Sequence, residues 1–222
     1  MSKALTSAHD VPLIIYGAGG HGKVVLDIAR SAGNSVSTVL DDDPEHRELS
    51  GVQVTYAPEF SWDRVIHFYF LVAVGNNSAR QDIFRRLCQR GGMPKTLIHP
   101  FSAISASAEI GRGVSVSAGA VVNPGALVRD NCIINTCASV DHDCLVEEHC
   151  HLCPGVRLAG NVTVGAGTMV GTGASILPGI RVGQWCCIGA GAVVNRDLPP
   201  GVVAYGVPAR IRKRRPEFLV PE

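Results

Sequence analysis

Along the second half of the chain the apolar positions keep a period of six. The series Ile104, Ile110, Val116, Val122, Val128, Ile134, Val140, Val146, Leu152, Leu158, Val164, Val170, Ile176, Val182, Ile188, Val194 runs without an insertion. Glycine often follows the aliphatic, as at Gly111, Gly165, Gly171, Gly183 and Gly189. Four places after it stands a small or medium residue, from Ala108 and Val114 through Cys132, Ala138, Cys144 and Cys150 to Ala192. A helix turns once per 3.6 residues and cannot hold such a repeat on one face, and a plain strand alternates in twos. Short flat strands joined by turns do fit, one hexad to each side of a triangular prism, with about 18 residues per coil. The sixteen hexads therefore predict just over five coils. The aliphatic points inward, the small residue fills the corner region, and each coil buries its apolar face only against its neighbours.

The first hundred residues follow other periods. "PLIIY" predicts a strand, "GAGGHG" a turn, and "KVVLDIARSAG" an amphipathic helix ended by Gly33. Gly17, Gly19 and Gly22 fit G-x-G-x-x-G between strand and helix, where phosphate can approach backbone N–H groups at a helix start. "SVSTVLDDD" predicts a second strand ending in Asp41, Asp42 and Asp43. These acids lie about 20 residues past the last glycine, where a carboxylate accepts from ribose hydroxyls. "FLVAVGNN" predicts a further strand with Gly75, Asn76 and Asn77 at its C-terminal end, the ligand side of an open α/β sheet. "SARQDIFRRLCQRGG" predicts a helix, and "KTLIHP" leads into the prism.

The expected fold is thus an α/β Rossmann-like domain over residues 1–98, then an all-β parallel β-helix over 99–207, then a basic tail over 208–222. About 85 residues separate Pro12 from the prism, room for one mononucleotide half but not two. A nucleotide sugar fits that size better than NAD. Glycines that merely allow close helix packing are the structural alternative.

Composition narrows the classes. The net charge is +1, so no global field argues for nucleic acid or a membrane surface. The longest apolar runs, such as "FYFLVAV" at 68–74, are too short to span a bilayer. "MSKALTSAHDVP" has no apolar signal core, so a cytoplasmic, reducing setting is expected and the eight cysteines read as thiols.

The chemistry concentrates in "NTCASVDHDCLVEEHCHLCPG", residues 135–155, with His142, His149, His151 and four cysteines. A metal site would need these groups to converge. Cys144 and Cys150 instead fall at the small interior position of adjacent hexads, like Cys132 and Cys186, and so point to different sides of the prism. No metal is expected. Cys137, Cys153 and Cys187 fall outside that class, and Cys88 lies on the second helix. His142 is flanked by Asp141 and Asp143, and a carboxylate stabilises imidazolium and strengthens the base. His149 reads as a solvated turn residue. Asn123 and Asn135 precede turns and suit turn formation, substrate contact or a bridge between subunits. The basic run of Arg210, Arg212, Lys213, Arg214 and Arg215 suits either solvent or the phosphates of an anionic ligand.

The segments "YGAGGHGKV", "LDDD", "VAVGNN", "LIHPFSAIS", "INTCASVDHDC", "AGNVTVG", "ILPGI" and "YGVPAR" occur in one order over about residues 11 to 213. This combination resembles the sialic-acid O-acetyltransferase-like family of hexapeptide-repeat acyltransferases, most of all the bacterial nucleotide-4-amino-sugar N-acetyltransferases. The resemblance implies a left-handed coil, a homotrimer with active sites between prisms, and acetyl-CoA as cosubstrate. It implies N-acetylation of the 4-amino group of a UDP-, dTDP- or GDP-linked deoxysugar for bacterial glycans or O-antigen. O-acetylation of sialic acid or another sugar hydroxyl, and a non-catalytic nucleotide-binding scaffold, are the alternatives. By the same resemblance His142 is the base and Asp143 raises its basicity, where many relatives carry Glu. His151, Gly160, Thr172 and Ala190 would contact acetyl-CoA. Gly19, Gly20, His21, Asp41, Asp42 and Gly75 would hold the sugar nucleotide, with Asn135 as a further substrate contact.

Overall fold

A computed structural model of the chain describes residues 11–65 and 67–214. Arg215, the last residue of the basic run, and the segment weighed as a signal core at residues 1–10 lie outside the described residues.

The N-terminal domain runs β1 (Leu13–Tyr16), α1 (Gly20–Ser31), β2 (Thr38–Asp41), β3 (Glu48–Leu49), β4 (Val52–Tyr56), β5 (Tyr69–Val72), α2 (Asn77–Gln89) and β6 (Met93–Pro94). The sheet order is β3-β4-β2-β1-β5-β6, parallel except for the β3–β4 hairpin. β3 and β6, two residues each, are too short to show a period in the sequence, whereas the five residues of β4 do alternate, as VQVTY, and form a strand beyond those expected. Val25, Leu26, Ile28 and Ala29 of α1 are buried on one side of the sheet. Ile83, Phe84 and Leu87 of α2 are buried on the other. The chain leaves β1 toward β2 and returns on its far side at β5, so the C-terminal ends of β1 and β5 form the crevice where open α/β sheets bind ligands.

The prism has three parallel sheets. The first face stacks the two-residue strands from Leu97–Ile98 through Ser115–Val116, Ile133–Ile134, His151–Leu152 and Met169–Val170 to Cys187–Ile188. The second runs from Ala103–Ile104 to Val193–Val194, and the third from Glu109–Ile110 to Arg181–Val182. Partners lie 18 residues apart, as in Val122↔Val140 and Val128↔Val146. The last coil is shorter: Cys187 pairs with Val203 and Val182 bridges to Leu198. Cys132, Cys144, Cys150 and Cys186 are buried interior fillers, as their hexad position implies.

Pairing starts at Leu97–Ile98, one hexad before Ile104, and Leu97 also packs in the α1-side core. The two domains therefore share a junction rather than a linker. At the other end Arg210–Arg214 pairs antiparallel with Val202–Tyr205, so this part of the basic run is an edge strand.

A second period accompanies the aliphatic one. Three places after each aliphatic, from Gly113 to Gly191, φ is positive, between 55° and 73°. Glycine occupies most of these corners, because a Cβ disfavours the left-handed region. Asn131, Cys137, Asp143, His149, Asn161 and Trp185 do not conform.

The N-terminal domain covers the first face. Helix α1 packs on its first two strands, and α2 meets the corner where the third face turns into the first. Among the described residues no helix is long and apolar enough to cross a membrane.

Candidate active site

His142 and Asp143 form the corner between the second and third faces, the edge opposite the covered face. His142 Nδ1 lies 2.9 Å from Asp143 Oδ2. An ionised carboxylate only accepts, so the ring carries its proton on Nδ1 and leaves Nε2 free as a base. That hydrogen bond raises the His142 pKa above its ordinary value, and the charges of Asp141 and Asp143 add to it. Asp141 Oδ1 accepts from the His142 N–H at 2.8 Å and from Asn123 Nδ2 at 2.9 Å, which fixes the start of the turn. The coils above and below make room for the pair. A Cβ at Gly160 would overlap the His142 ring, and one at Gly125 would stand 2.7 Å from Asp143 Oδ1. Both side chains are largely exposed.

The second cluster lies in the β1/β5 crevice. Gly17 has φ +118°, and a Cβ there would meet the Ala73 carbonyl. Gly22 lets α1 pack on the Gly17 carbonyl. The space beside Gly19 and Gly20 is open, and Gly19 caps α1 without a side chain, so the helix start faces that space with free N–H groups. His21 lies beside His151, ring centroids 6.1 Å apart. His151 Nδ1 is 3.4 Å from the Gly75 carbonyl, and its Nε2 is 3.1 Å from Asn135 Nδ2. Burial lowers the pKa of His21 to about 4 and of His151 to about 3, with the Arg80 charge as the next cause. Both rings are neutral at pH 7.

Arg80 joins the two domains. Its side chain is buried and donates from Nε to the Asn131 carbonyl (3.1 Å) and from Nη2 to the carbonyls of His149 (2.6 Å) and Cys150 (3.2 Å). On the N-terminal side Nη1 donates to the Val74 carbonyl (3.1 Å) and Asn77 Oδ1 (2.8 Å). Asn77 Nδ2 in turn donates to the Gly167 carbonyl at 3.0 Å. His149 belongs to this junction: it is buried, its Nδ1 lies 2.8 Å from Asn131 Nδ2, and its ring packs edge-on against Phe84. The expectation of a solvated turn residue is therefore corrected. Periodicity placed His149 at a corner, but not against a second domain.

Two family models match the chain: the PglD N-terminal domain over residues 12–87 and the bacterial transferase hexapeptide (six repeats) over 161–196. PerB from Caulobacter crescentus, solved in complex with CoA and GDP-perosamine, is 39% identical with a TM-score of 0.84, over 91% of this chain and 97% of that one. The chain belongs to the hexapeptide-repeat N-acetyltransferases of nucleotide-linked amino sugars. The acetyltransferase domain of PglB from Neisseria gonorrhoeae FA1090 is 38% identical with a TM-score of 0.83, over 90% and 99% of the two chains. GDP-perosamine N-acetyltransferase of Escherichia coli O157:H7 is 28% identical over 92% and 98%.

In this acetyltransferase the expected site residues fall into separate groups. Gly19, Gly20, His21, Gly75, Asn135 and His151 share the crevice, so His151 stands with residues expected to hold the sugar nucleotide. Gly160 stands with His142. Thr172 and Ala190 lie one coil apart on the edge between the first and second faces, the edge that also carries Asn135 and Thr136. Asp41 braces the glycine turn: Oδ2 accepts from the Ala18 N–H at 2.5 Å and Oδ1 from the Asp43 N–H at 2.8 Å. Asp42 bonds Tyr16 and faces Arg86. Among the described residues no three His, Cys, Asp or Glu side chains are placed to hold a metal ion. Arg80, Asn131, Tyr16, Arg86 and Gly125 were not anticipated. The glycine column three places after each aliphatic, which Asp143 and His149 interrupt, was the signal available for them.

Proposed function

We propose that the chain transfers the acetyl group of acetyl-CoA to the 4-amino group of a nucleotide-linked deoxysugar for bacterial glycan assembly, at a site shared by neighbouring copies of a homotrimer. The position of the His142–Asp143 pair carries this reading. The pair stands on the edge between the second and third faces, across the prism from the first face against which the crevice of its own chain lies. A site completed by a second copy resolves the separation. The edge with Asn135, Thr172 and Ala190 of one copy would face the edge with His142 and Gly160 of the next, in a head-to-tail contact that closes after three copies.

The sugar amine attacks the thioester carbonyl, the C–S bond breaks and the amide C–N bond forms. His142 Nε2 takes the amine proton and returns it to the CoA thiolate, while Asp143 stabilises the imidazolium. A backbone N–H at the groove would stabilise the developing oxyanion. We place the reaction in the cytoplasm.

Purified protein with acetyl-CoA is expected to release CoA thiol only when an amino-sugar nucleotide is added. Turnover of a hydroxyl sugar but not the amine would move the reading to O-acetylation. Complementation tests the shared site. His142→Ala and His21→Ala chains, each inactive alone, are expected to regain activity when co-assembled. Mixed trimers without activity would place the whole site within one chain.

A further inference from the structure

Beside the glycine turn, at the C-terminal ends of β1, β2 and β4, lies a cavity of about 160 Å³ lined by Tyr16, Asp42, Pro58, Trp62, Arg86 and Arg90. At ~30 Å³ per water this holds about five waters, the room of one flat nucleobase. Its polar groups are ordered in a chain. Arg86 Nη2 donates to Tyr16 Oη at 2.6 Å, and Tyr16 Oη donates to Asp42 Oδ1 at 2.5 Å. Asp42 Oδ2 lies 3.7 Å from Arg86 Nη2. The arrangement leaves a carboxylate oxygen and further guanidinium N–H groups side by side at the cavity. Trp62 and Pro58 supply flat apolar walls. The Arg86 guanidinium also lies 5.4 Å from the centroid of the Tyr16 ring, which limits its swing.

We propose that this cavity takes the base of the nucleotide and that Arg86 and Asp42 select guanine. The inference rests on the nucleotide reading above. Guanine presents O6 and N7 as adjacent acceptors, which an arginine fork reads bidentately. Its N1–H and N2–H groups, next along the same ring edge, suit the free Asp42 oxygen. Uracil and thymine offer a single N–H between two carbonyls and no acceptor pair for the fork. The cavity also stands at the correct reach. Strands β1, β2 and β4 are two spacings of about 4.8 Å apart, so pyrophosphate at the Gly19–Gly20 turn leaves the base over β2 and β4.

Calorimetric binding of GDP, UDP and dTDP to the full-length protein tests this. GDP is expected to bind at least about tenfold more tightly than either pyrimidine nucleotide. Arg86→Gln is expected to remove that preference while changing UDP and dTDP binding less than about threefold. Arg86→Lys keeps the charge but not the fork, and is expected to lose it as well. UDP or dTDP binding as tightly as GDP would overturn the proposal, as would an Arg86→Gln protein of unchanged melting temperature that loses all three nucleotides alike. Binding of none of the three by the unmodified protein would instead overturn the nucleotide reading itself, and this one with it.

Discussion

His142 and His149 stand seven residues apart on one stretch of the prism, yet their surroundings oppose each other at every point. His142 is exposed, bonded to a carboxylate, and held more basic than a free imidazole. His149 is buried against Phe84, bonded to an amide, and held less basic, its pKa lowered to about 4 by burial and then by the Arg80 charge. The repeat supplied both corners. What differs is the neighbour. One edge is left open, and the other is closed by a second domain. An imidazole in this fold acquires its role from which prism edge it occupies.

The largest expected effect comes from removing the base proposed at the open edge. His142→Ala should lower turnover by roughly 10²- to 10⁴-fold, the usual contribution of a positioned general base, with little change in melting temperature. CoA-thiol release and calorimetry on the same preparation check both parts. Retained turnover would make His142 a bystander and erase the contrast.

The next effect falls on the closed edge and reverses the readout. Arg80→Met strands the buried carbonyls of Asn131 and His149 without their donor, at roughly 1–3 kcal/mol for each group left unpaired, while the Cys150 carbonyl keeps the Ile133 N–H. A loss of about 2–6 kcal/mol is expected for the two groups together. At about 2–4 °C per kcal/mol for a chain of this size, the melting temperature should fall by about 10 °C. A melting temperature within a degree or two of the parent would show that the domains are held by something other than this junction.

How much of this was legible beforehand follows the same division. The aliphatic hexads need only a period, so the prism could be read from residues such as Val140 and Val146 alone. The glycine turn and the acids after β2 were legible because their spacing is local. The junction was not. Nothing within a few residues of Arg80 says that its acceptors lie 51 to 70 positions away on a stack of coils. His149 was misread for that reason. The division of labour between Asp41, which braces the turn, and Asp42, which lines a cavity, was equally hidden, because it depends on Tyr16 and Arg86 arriving from β1 and α2.

Asp143→Asn sharpens the comparison at the open edge. An amide oxygen can still accept from His142 Nδ1–H, so geometry is kept and charge is lost. The raised pKa of His142 should drop back toward about 6.5. Since the base must be neutral, the acid limb of kcat/KM moves to lower pH, while the plateau falls by about tenfold as a weaker base takes the proton. A rate loss with an unmoved limb would mean that Asp143 acts only by orienting the ring.

The smallest expected effect concerns the corner column itself. Cys137 sits exposed in the left-handed region at φ 56°, where most equivalent corners carry glycine. The left-handed conformation costs a residue with a Cβ about 1–2 kcal/mol. Glycine loses roughly 0.5–1 kcal/mol more chain entropy on folding. Cys137→Gly should therefore raise stability by about 0.5–1 kcal/mol, seen as a small increase in denaturant midpoint at constant m-value. The same substitution at Asp143 should stabilise by a like amount and cost activity, because there the strained corner holds the side chain proposed to support the base. If Cys137→Gly instead destabilises, the Cys137 side chain contributes more than its strain costs. That outcome would put it with Asp143 and His149 among the corners kept for their side chains.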